Sequence, residues 1–129
     1  MKLVEFNPKK HYETICEWWK EQDWPCVPAD HLPLGFLVMD GETPACAGFL
    51  YLTGTAMCHF EWIVANPEVR GKKRAEALNF LISSVKGIAR DAGCASIFMA
   101  TKHPNLISRL EKQGFIATDY NVTNLLARV

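Results

Sequence analysis

The stretch that decides the fold is Trp62-Ile-Val-Ala-Asn-Pro-Glu-Val-Arg-Gly-Lys-Lys-Arg-Ala75. It begins as an apolar strand, breaks at Asn66-Pro67, and leads through a glycine turn into a periodic helical pattern. Four of the fourteen basic residues of the chain crowd into this turn: Arg70, Lys72, Lys73 and Arg74. The stretch therefore predicts a strand end, a tight turn and a helix start that carries concentrated positive charge.

A helix that begins at such a turn presents unpaired backbone N–H groups and the positive end of its dipole. These groups can hold phosphate oxygens without long side-chain arms. Positive side chains in a first helical turn are unfavourable by roughly a few tenths of a kcal/mol each, unless an anion lies nearby. The pattern favours a small anion-binding site, and the alternative is an ordinary solvated basic surface.

The residues that follow the turn predict a helix, a strand, a second helix and a final hairpin. The apolar stripe Leu78, Leu81, Ile82, Val85 and Ile88 or Ala89 predicts the first helix, with Gly93 as its stop. Ser96 to Ala100 is nearly all apolar, which is typical of a short strand covered on both faces. Pro104 predicts the start of the second helix and Gly114 its end. Phe115 to Thr118 and Val122 to Ala127 are expected to pair as the last hairpin.

The residues that precede the stretch predict a strand, a helix and three antiparallel strands. Lys2 to Phe6 alternates and ends at a breaker, and Tyr12, Ile15, Cys16 and Trp19 then share one helical face. Trp24 to Pro33 holds three prolines and predicts an irregular connection. Gly35 to Met39, Ala45 to Leu52 and Met57 to Ala65 are strand-like and separated by turn signals.

The length and composition of the chain exclude several classes of protein. A chain of 129 residues with 49% hydrophobic side chains predicts one globular domain, residues 1–129. Its formal net charge is +0, so the molecule as a whole has no electrostatic attraction to nucleic acid or to an anionic membrane. Five scattered cysteines and four dispersed histidines show no metal-ligand spacing, so no metal site is expected. The start of the chain shows no signal-peptide pattern, and we expect a cytoplasmic location.

Two motifs resemble those of the GCN5-related N-acetyltransferase (GNAT) superfamily. Asn66-Pro-Glu-Val-Arg-Gly-Lys72 is similar to the family's Pro-Glu-x-Arg-Gly-Lys turn, and Leu110-Glu-Lys-Gln-Gly-Phe115 is similar to its Tyr-Glu-Lys-Leu-Gly-Phe ending. The resemblance covers nearly the whole chain. With Glu61-Trp62 before the Asn-Pro turn, the chain further resembles small GNAT-like proteins encoded by tailed phages. It implies an α/β (α+β) fold of order β-α-β-β-β-α-β-α-β-β, with a mixed, mostly antiparallel sheet that splits between its fourth and fifth strands.

The resemblance also implies an activity, acetyl transfer from acetyl-CoA as co-substrate to an unidentified amine. The pantetheine arm would pair with the strand backbone at Ile63, Val64 and Ala65. The pyrophosphate would lie on the turn formed by Arg70, Gly71, Lys72, Lys73, Arg74 and Ala75. Glu61 is the candidate base, since partial burial near the strand end would raise its pKa. Strict strand alternation places Glu61 opposite Phe60 and Trp62, and its alternative role is that of an ordinary solvent-facing carboxylate.

Three positions depart from the family pattern. Lys73 replaces the first motif glycine, Leu110 replaces the tyrosine that protonates the leaving thiolate, and His103 stands where an asparagine often touches the cofactor. The four tryptophans could line an acceptor groove or belong to the core. Cys58 and Cys94 are interpreted as small buried hydrophobes.

Two alternatives to the enzyme stay open. The chain could be a phage virion or interaction protein that retains the scaffold without turnover. The residues Lys73 and Leu110, which depart from the family pattern, favour this alternative. It could also bind nucleic acid through Arg70 to Arg74, although the patch is short and has no interleaved aromatic residues, so no nucleic-acid partner is expected. No membrane partner is expected either, and a homodimer is left open.

Overall fold

Five strands form one mixed sheet in the computed structural model, which describes all 129 residues. The strands are β1 (Lys2–Glu5), β2 (Leu34–Asp40), β3 (Thr43–Leu52), β4 (Met57–Ala65) and β5 (Ser96–Phe98). They lie side by side in chain order. Neighbours are antiparallel from β1 to β4, whereas β5 runs parallel to β4. The expected α/β fold with a mixed, mostly antiparallel sheet is confirmed.

Three α-helices accompany the sheet: α1 (Pro8–Glu21), α2 (Gly71–Asp91) and α3 (Pro104–Lys112). The side chain of Asn7 accepts a hydrogen bond from the Lys9 N–H and so caps the start of α1. Gly93 and Gly114 adopt φ values of 90° and 93° just beyond α2 and α3, which ends both helices as predicted. None of these helices combines the length and the apolar run that crossing a bilayer requires.

The sheet buries a separate apolar cluster on each face. On one face, α2 and Leu110 of α3 pack against Val38, Leu50, Cys58 and Phe60. On the other face, α1 packs against Leu37, Ala47, Phe49 and Val64. Neighbouring strand residues such as Leu37 and Val38 enter opposite clusters because side chains alternate along a strand. We call the two sides the α2 face and the α1 face.

The C-terminal hairpin predicted for Phe115 to Thr118 and Val122 to Ala127 does not form. No helix or strand follows α3, and the chain beyond Phe115 is exposed. Strand formation needs a hydrogen-bonding partner as well as β-forming residues. Between the two expected strands Asp119, Tyr120 and Asn121 make a polar link, and Asn121 has a φ of 56°. The element order is therefore β-α-β-β-β-α-β-α, without the two final strands.

Strand β5 is shorter and more exposed than its sequence indicates. It spans Ser96 to Phe98 rather than Ser96 to Ala100, and Phe98 is 45% exposed. The expectation that this strand is covered on both faces is therefore wrong. The reason is its position, since β5 lies at the edge of the sheet and no final hairpin covers it.

Candidate functional site

The sheet opens between β4 and β5, as the resemblance predicts. The two strands pair only from Met57 with Ser96 to His59 with Phe98. Strand β4 continues to Ala65, whereas β5 ends, so the backbone from Phe60 to Ala65 has no strand neighbour on this side. The expected pantetheine-binding residues Ile63, Val64 and Ala65 all lie along this opening. Their backbone groups are placed where an extended ligand could pair with the strand.

A β-bulge deforms β4 beside the opening. Ala47 pairs with Val64 and Phe49 with Glu61, so Gly48 faces two residues, Trp62 and Ile63. Trp62 occupies the bulge with a φ of 61°. Phe60 and Ile63 consequently both pack on the α2 face, while Trp62 is 45% exposed. The prediction that Phe60 and Trp62 share a face is wrong, because the extra residue shifts the alternation by one position.

Glu61 lies on the α1 face, opposite to Phe60, as predicted. It pairs across the strands with Phe49, which belongs to the α1-face cluster, and directly paired residues share a face. Burial raises the pKa of Glu61 to about 7, and a hydrogen bond with the Ala100 backbone lowers it in part. Ala100 follows β5, so Glu61 stands between the two separating strands. Its side chain is a carboxylate that can accept a proton near neutral pH.

Aromatic side chains adjoin Glu61 on the same side of the sheet. The indole N–H of Trp62 donates to the Tyr51 hydroxyl at 2.8 Å, and that hydroxyl donates to the His31 carbonyl at 3.0 Å. The rings of Trp24 and His103 meet edge to face, 5.8 Å apart. Trp62 therefore lies beside Glu61 on the exposed surface. Trp24 packs at the edge of the α1-face cluster next to His103, and the other two tryptophans are buried within that cluster, Trp18 and Trp19.

Tyr51 was not among the predicted site residues. Its place follows from the β3–β4 hairpin register, which sets Tyr51 opposite His59, two residues before Glu61. The turn signal at Thr53 to Thr55 would have been enough to find it. Once that turn is placed, the alternation of side chains puts Tyr51, His59 and Glu61 on one face.

A buried asparagine fixes the turn after β4. The Asn66 side chain donates to the Pro44 carbonyl at 2.8 Å and accepts from the Glu68 N–H at 3.0 Å. Its own N–H donates to the Ala45 carbonyl at 2.9 Å. Asn66 is the only polar residue of the chain in the buried class, and it joins the turn firmly to β3. The helix that follows therefore has a defined starting point.

The two arginines of the basic turn bond back onto the turn itself. Arg74 donates from Nε to the Val69 carbonyl at 2.8 Å and from Nη2 to the Asn66 carbonyl at 3.1 Å. Arg70 donates from Nε to the Pro67 carbonyl at 3.2 Å. The sequence pattern suggested four flanking positive side chains around an anion. The structure instead uses two of them to brace the loop.

The start of α2 has no capping side chain and no acidic residue in its first turn. Gly71 begins the helix with a φ of 57°, and a Cβ at this position would meet nothing within 4 Å. Lys73 forms an ion pair with Asp40 at the end of β2, with 3.6 Å between Nζ and Oδ2. Lys72 is exposed and Ala75 is partly buried. The first-turn N–H groups thus have neither a capping side chain nor an acidic residue of the same turn as a partner.

The other two residues that depart from the family pattern, Leu110 and His103, lie in different environments. Leu110 is 4% exposed and packs in the α2-face cluster, so it is a core residue. His103 is exposed at the start of α3 and touches Trp24. Of the two positions, His103 is the one that contacts an aromatic side chain at the surface.

Comparisons with known proteins agree on the architecture. No protein-family model matches the sequence, and no curated protein matches it either. Among solved structures, a Thermus thermophilus protein matches with a TM-score of 0.72 and 16% identity over 100% of this chain and 99% of its own. A Trypanosoma brucei acetyltransferase matches with a TM-score of 0.70 and 17% identity over 97% of this chain and 99% of its own.

An aminoglycoside N-acetyltransferase, crystallised in complex with CoA, is also similar. It gives a TM-score of 0.63 and 22% identity over 98% of this chain and 100% of its own. At these identities the likeness concerns the fold alone. The chain has the fold of the GCN5-related N-acetyltransferases.

Proposed function

We propose that this protein transfers an acetyl group from acetyl-CoA to an amine, with Glu61 as the catalytic base. The observation that carries the proposal is the position of Glu61, a partly buried carboxylate with a pKa near 7 beside the opening of the sheet. The aminoglycoside N-acetyltransferase of the same fold was crystallised with CoA, which supports the same co-substrate here. The identity of the amine is a separate question.

Acetyl-CoA fits the two features that flank the turn. The unpaired backbone of Ile63, Val64 and Ala65 would pair with the amide groups of the pantetheine arm. The N–H groups at the start of α2, from Gly71 to Lys73, would hold the pyrophosphate with help from the helix dipole. The braces made by Arg70 and Arg74 keep these N–H groups in place. Lys72 and Lys73 would supply the nearby positive charge.

The reaction needs one proton acceptor and one proton donor. The neutral amine attacks the thioester carbonyl carbon, the carbon–sulfur bond breaks, and Glu61 takes the proton that the amine nitrogen loses. The leaving thiolate of CoA takes its proton from water, because Leu110 is buried and cannot act as an acid. Trp62, Tyr51 and Trp24 would bound the acceptor side, next to the short, proline-rich segment from Trp24 to Pro33.

Reversing one charge at the helix start should weaken acetyl-CoA binding. Lys73→Glu replaces the positive side chain paired with Asp40 by a negative one near the expected pyrophosphate. We expect the Kd to rise about three- to tenfold, measured by calorimetry at low salt. Lys9→Glu, an exposed change on α1, is the matched control and should leave the Kd unchanged. If the wild type shows no detectable heat of binding up to millimolar acetyl-CoA, the enzyme hypothesis is wrong.

That negative result would favour the second candidate, a scaffold protein without turnover. Two observations speak for it, the Lys73–Asp40 ion pair and the burial of Leu110 in place of an acid. A role in a phage virion is one form of this candidate. The similar structures described above come from a bacterium and a trypanosome, and they give no support to a phage origin.

The exposed C-terminal segment favours a second copy of this chain as the partner, in a homodimer. This segment, Ile116 to Val129, leaves large apolar side chains in solvent, with Leu125 90% and Leu126 95% exposed. The outer edge of β5 likewise has no neighbouring strand. An open edge and an apolar segment without a partner are both relieved when two copies associate.

Removing residues 116–129 should therefore abolish the dimer. We expect light scattering to give twice the chain mass for the full-length protein and the single chain mass for the shortened one. A double variant, Leu125→Ser with Leu126→Ser, keeps the length and should also weaken association. A full-length protein that stays monomeric at high concentration would contradict the dimer and leave the proposed activity untouched.

A further inference from the structure

Two cysteines that the proposed reaction does not use meet between α1 and the segment after it. Cys16 lies in α1 and is buried, and Cys26 lies in the loop that follows and is partly exposed. The Cys26 thiol donates to the Cys16 carbonyl at 3.7 Å, which brings its sulfur atom against the backbone of Cys16. Cys16 is a member of the α1-face cluster, and Cys26 packs against that cluster. Two neighbouring cysteines, one of them reachable from solvent, have the arrangement that disulfide formation needs.

The surrounding contacts hold this pair together. The Tyr12 hydroxyl donates to the Val27 carbonyl at 2.7 Å, which ties the residue after Cys26 to α1. Only the loop, which is short and irregular, has to adjust for the two sulfur atoms to bond.

We propose that Cys16 and Cys26 are a thiol modification site that forms a reversible disulfide with a peroxide. The thiolate sulfur of the more exposed Cys26 attacks one oxygen of the peroxide, the oxygen–oxygen bond breaks, and the other oxygen leaves as hydroxide, so that Cys26 becomes a sulfenic acid. The Cys16 thiolate then attacks the Cys26 sulfur and expels a second hydroxide. In sum, two thiols and one hydrogen peroxide give one disulfide and two waters. A small thiol restores both cysteines by exchange.

The disulfide would act on the segment that carries Trp24. Cys26 is two residues from Trp24, whose ring contacts His103, and the same segment reaches Tyr51 through the His31 carbonyl. A covalent link to α1 would therefore limit the movement of one wall of the expected acceptor groove. This consequence rests on the proposed function, whereas the disulfide itself does not.

Cys58 and Cys94 are a second thiol pair and provide the matched comparison. Cys58 lies inside β4 with no exposed area and donates to the Ser96 carbonyl at 3.7 Å, while Cys94 is partly exposed like Cys26. Burial raises the pKa of Cys58 to about 11 and also raises that of Cys16, so the partly exposed cysteine of each pair is the one that reacts first with a peroxide. The pairs differ in their backbone: Cys58 is paired with a strand on both sides and the Cys94 N–H donates to the Ala89 carbonyl at 3.0 Å, which leaves this pair less able to adjust than the loop position of Cys26.

The test is peptide mapping of the reduced, full-length protein after one molar equivalent of hydrogen peroxide. We expect the intact mass to fall by two hydrogen atoms, a cross-linked peptide that joins Cys16 to Cys26, and recovery of both thiols with dithiothreitol. Cys26→Ser should abolish the cross-link, and Cys94→Ser should leave it unchanged. A bond between Cys58 and Cys94 instead, or Cys16 and Cys26 each recovered as free thiols, would overturn the assignment. Because the readout is a mass, loss of acetyl transfer does not affect it.

Discussion

Glu61→Gln is expected to lower kcat/KM for amine acetylation by about 10²–10⁴-fold, the range in which a positioned base contributes. The amide has nearly the shape of the carboxylate, yet it cannot take the proton that leaves the attacking nitrogen. Release of the CoA thiol over a panel of amines is the measurement. Acetyl-CoA binding should survive in the variant, because its proposed contacts lie along Ile63 to Ala65 and at the start of α2.

The control for this variant is Glu68→Gln. Glu68 is an exposed carboxylate in the turn after β4, and its bond to Asn66 uses the backbone N–H rather than the side chain. The change removes the same charge and should alter the rate less than about twofold. Undiminished turnover in Glu61→Gln would remove Glu61 from its assigned role, whatever the control does.

The pH profile adds a second signature of the same residue. Burial raises the pKa of Glu61 to about 7, so the carboxylate is protonated and inactive well below pH 7 and deprotonated above it. We therefore expect kcat/KM to rise with pH through an apparent pKa near 7. The step should disappear in Glu61→Gln. An acceptor amine of low pKa keeps deprotonation of the substrate out of this range.

The same shift also affects stability, which gives a readout that needs no substrate. The folded protein holds the Glu61 proton more tightly than the unfolded chain, whose glutamate pKa is near 4.5. The free energy of unfolding should therefore fall as pH rises from about 4.5 to about 7. Glu61→Gln lacks this loss. Since Glu61 is partly exposed and solvent screens part of the effect, we expect the variant to be about 1–3 kcal/mol more stable than the wild type at pH 8 and no more stable at pH 4.

The regular elements could be predicted because each carries a local signal. Pro104 and Gly114 bracket α3, and the stripe from Leu81 to Ala89 matches the buried side of α2. These signals act over one or two helical turns and depend little on the rest of the chain. The C-terminal hairpin depended on a partner strand, which no local pattern can supply. Its β-forming residues therefore did not become strands.

The candidate site could be placed from the sequence, but its details could not. Glu61 and the turn from Arg70 to Ala75 lie where expected, beside the opening of the sheet. The bulge at Trp62 could not be predicted from the sequence, because no glycine or asparagine marks its positive φ. The roles of Arg70 and Arg74 were also hidden, since charge counting does not reveal that guanidinium groups will find backbone carbonyls.

Gly48→Ala is expected to lower the free energy of unfolding by about 1–3 kcal/mol through overpacking. Gly48 lies in β3 opposite the bulge, and a Cβ there would meet the Phe60 ring at 2.5 Å and the Ile63 side chain at 3.3 Å. Phe60 is 1% exposed, so its ring has no free space into which it can move. The added methyl group must displace β4 or distort the bulge.

Gly87→Ala is the matched control, and we expect it to change the free energy of unfolding in the opposite direction. Gly87 lies inside α2, where a Cβ would meet only the end of the Arg90 side chain at 3.7 Å. Alanine favours a helix over glycine by about 0.5–1 kcal/mol, so this variant should be more stable than the wild type. Urea denaturation of the three proteins, at equal m-values, measures both differences.

The position of Gly48 also links its stability effect to the site. Phe60 and Ile63, the two side chains that the new methyl group would contact, flank Glu61 and Trp62 in the chain. Displacement of Phe60 would therefore move the carboxylate relative to the Ala100 backbone, and acetyl transfer should fall even at temperatures where Gly48→Ala is fully folded. A variant as stable and as active as the wild type would show that Gly48 and Phe60 are not in this close contact, and that the position of Glu61 does not depend on it.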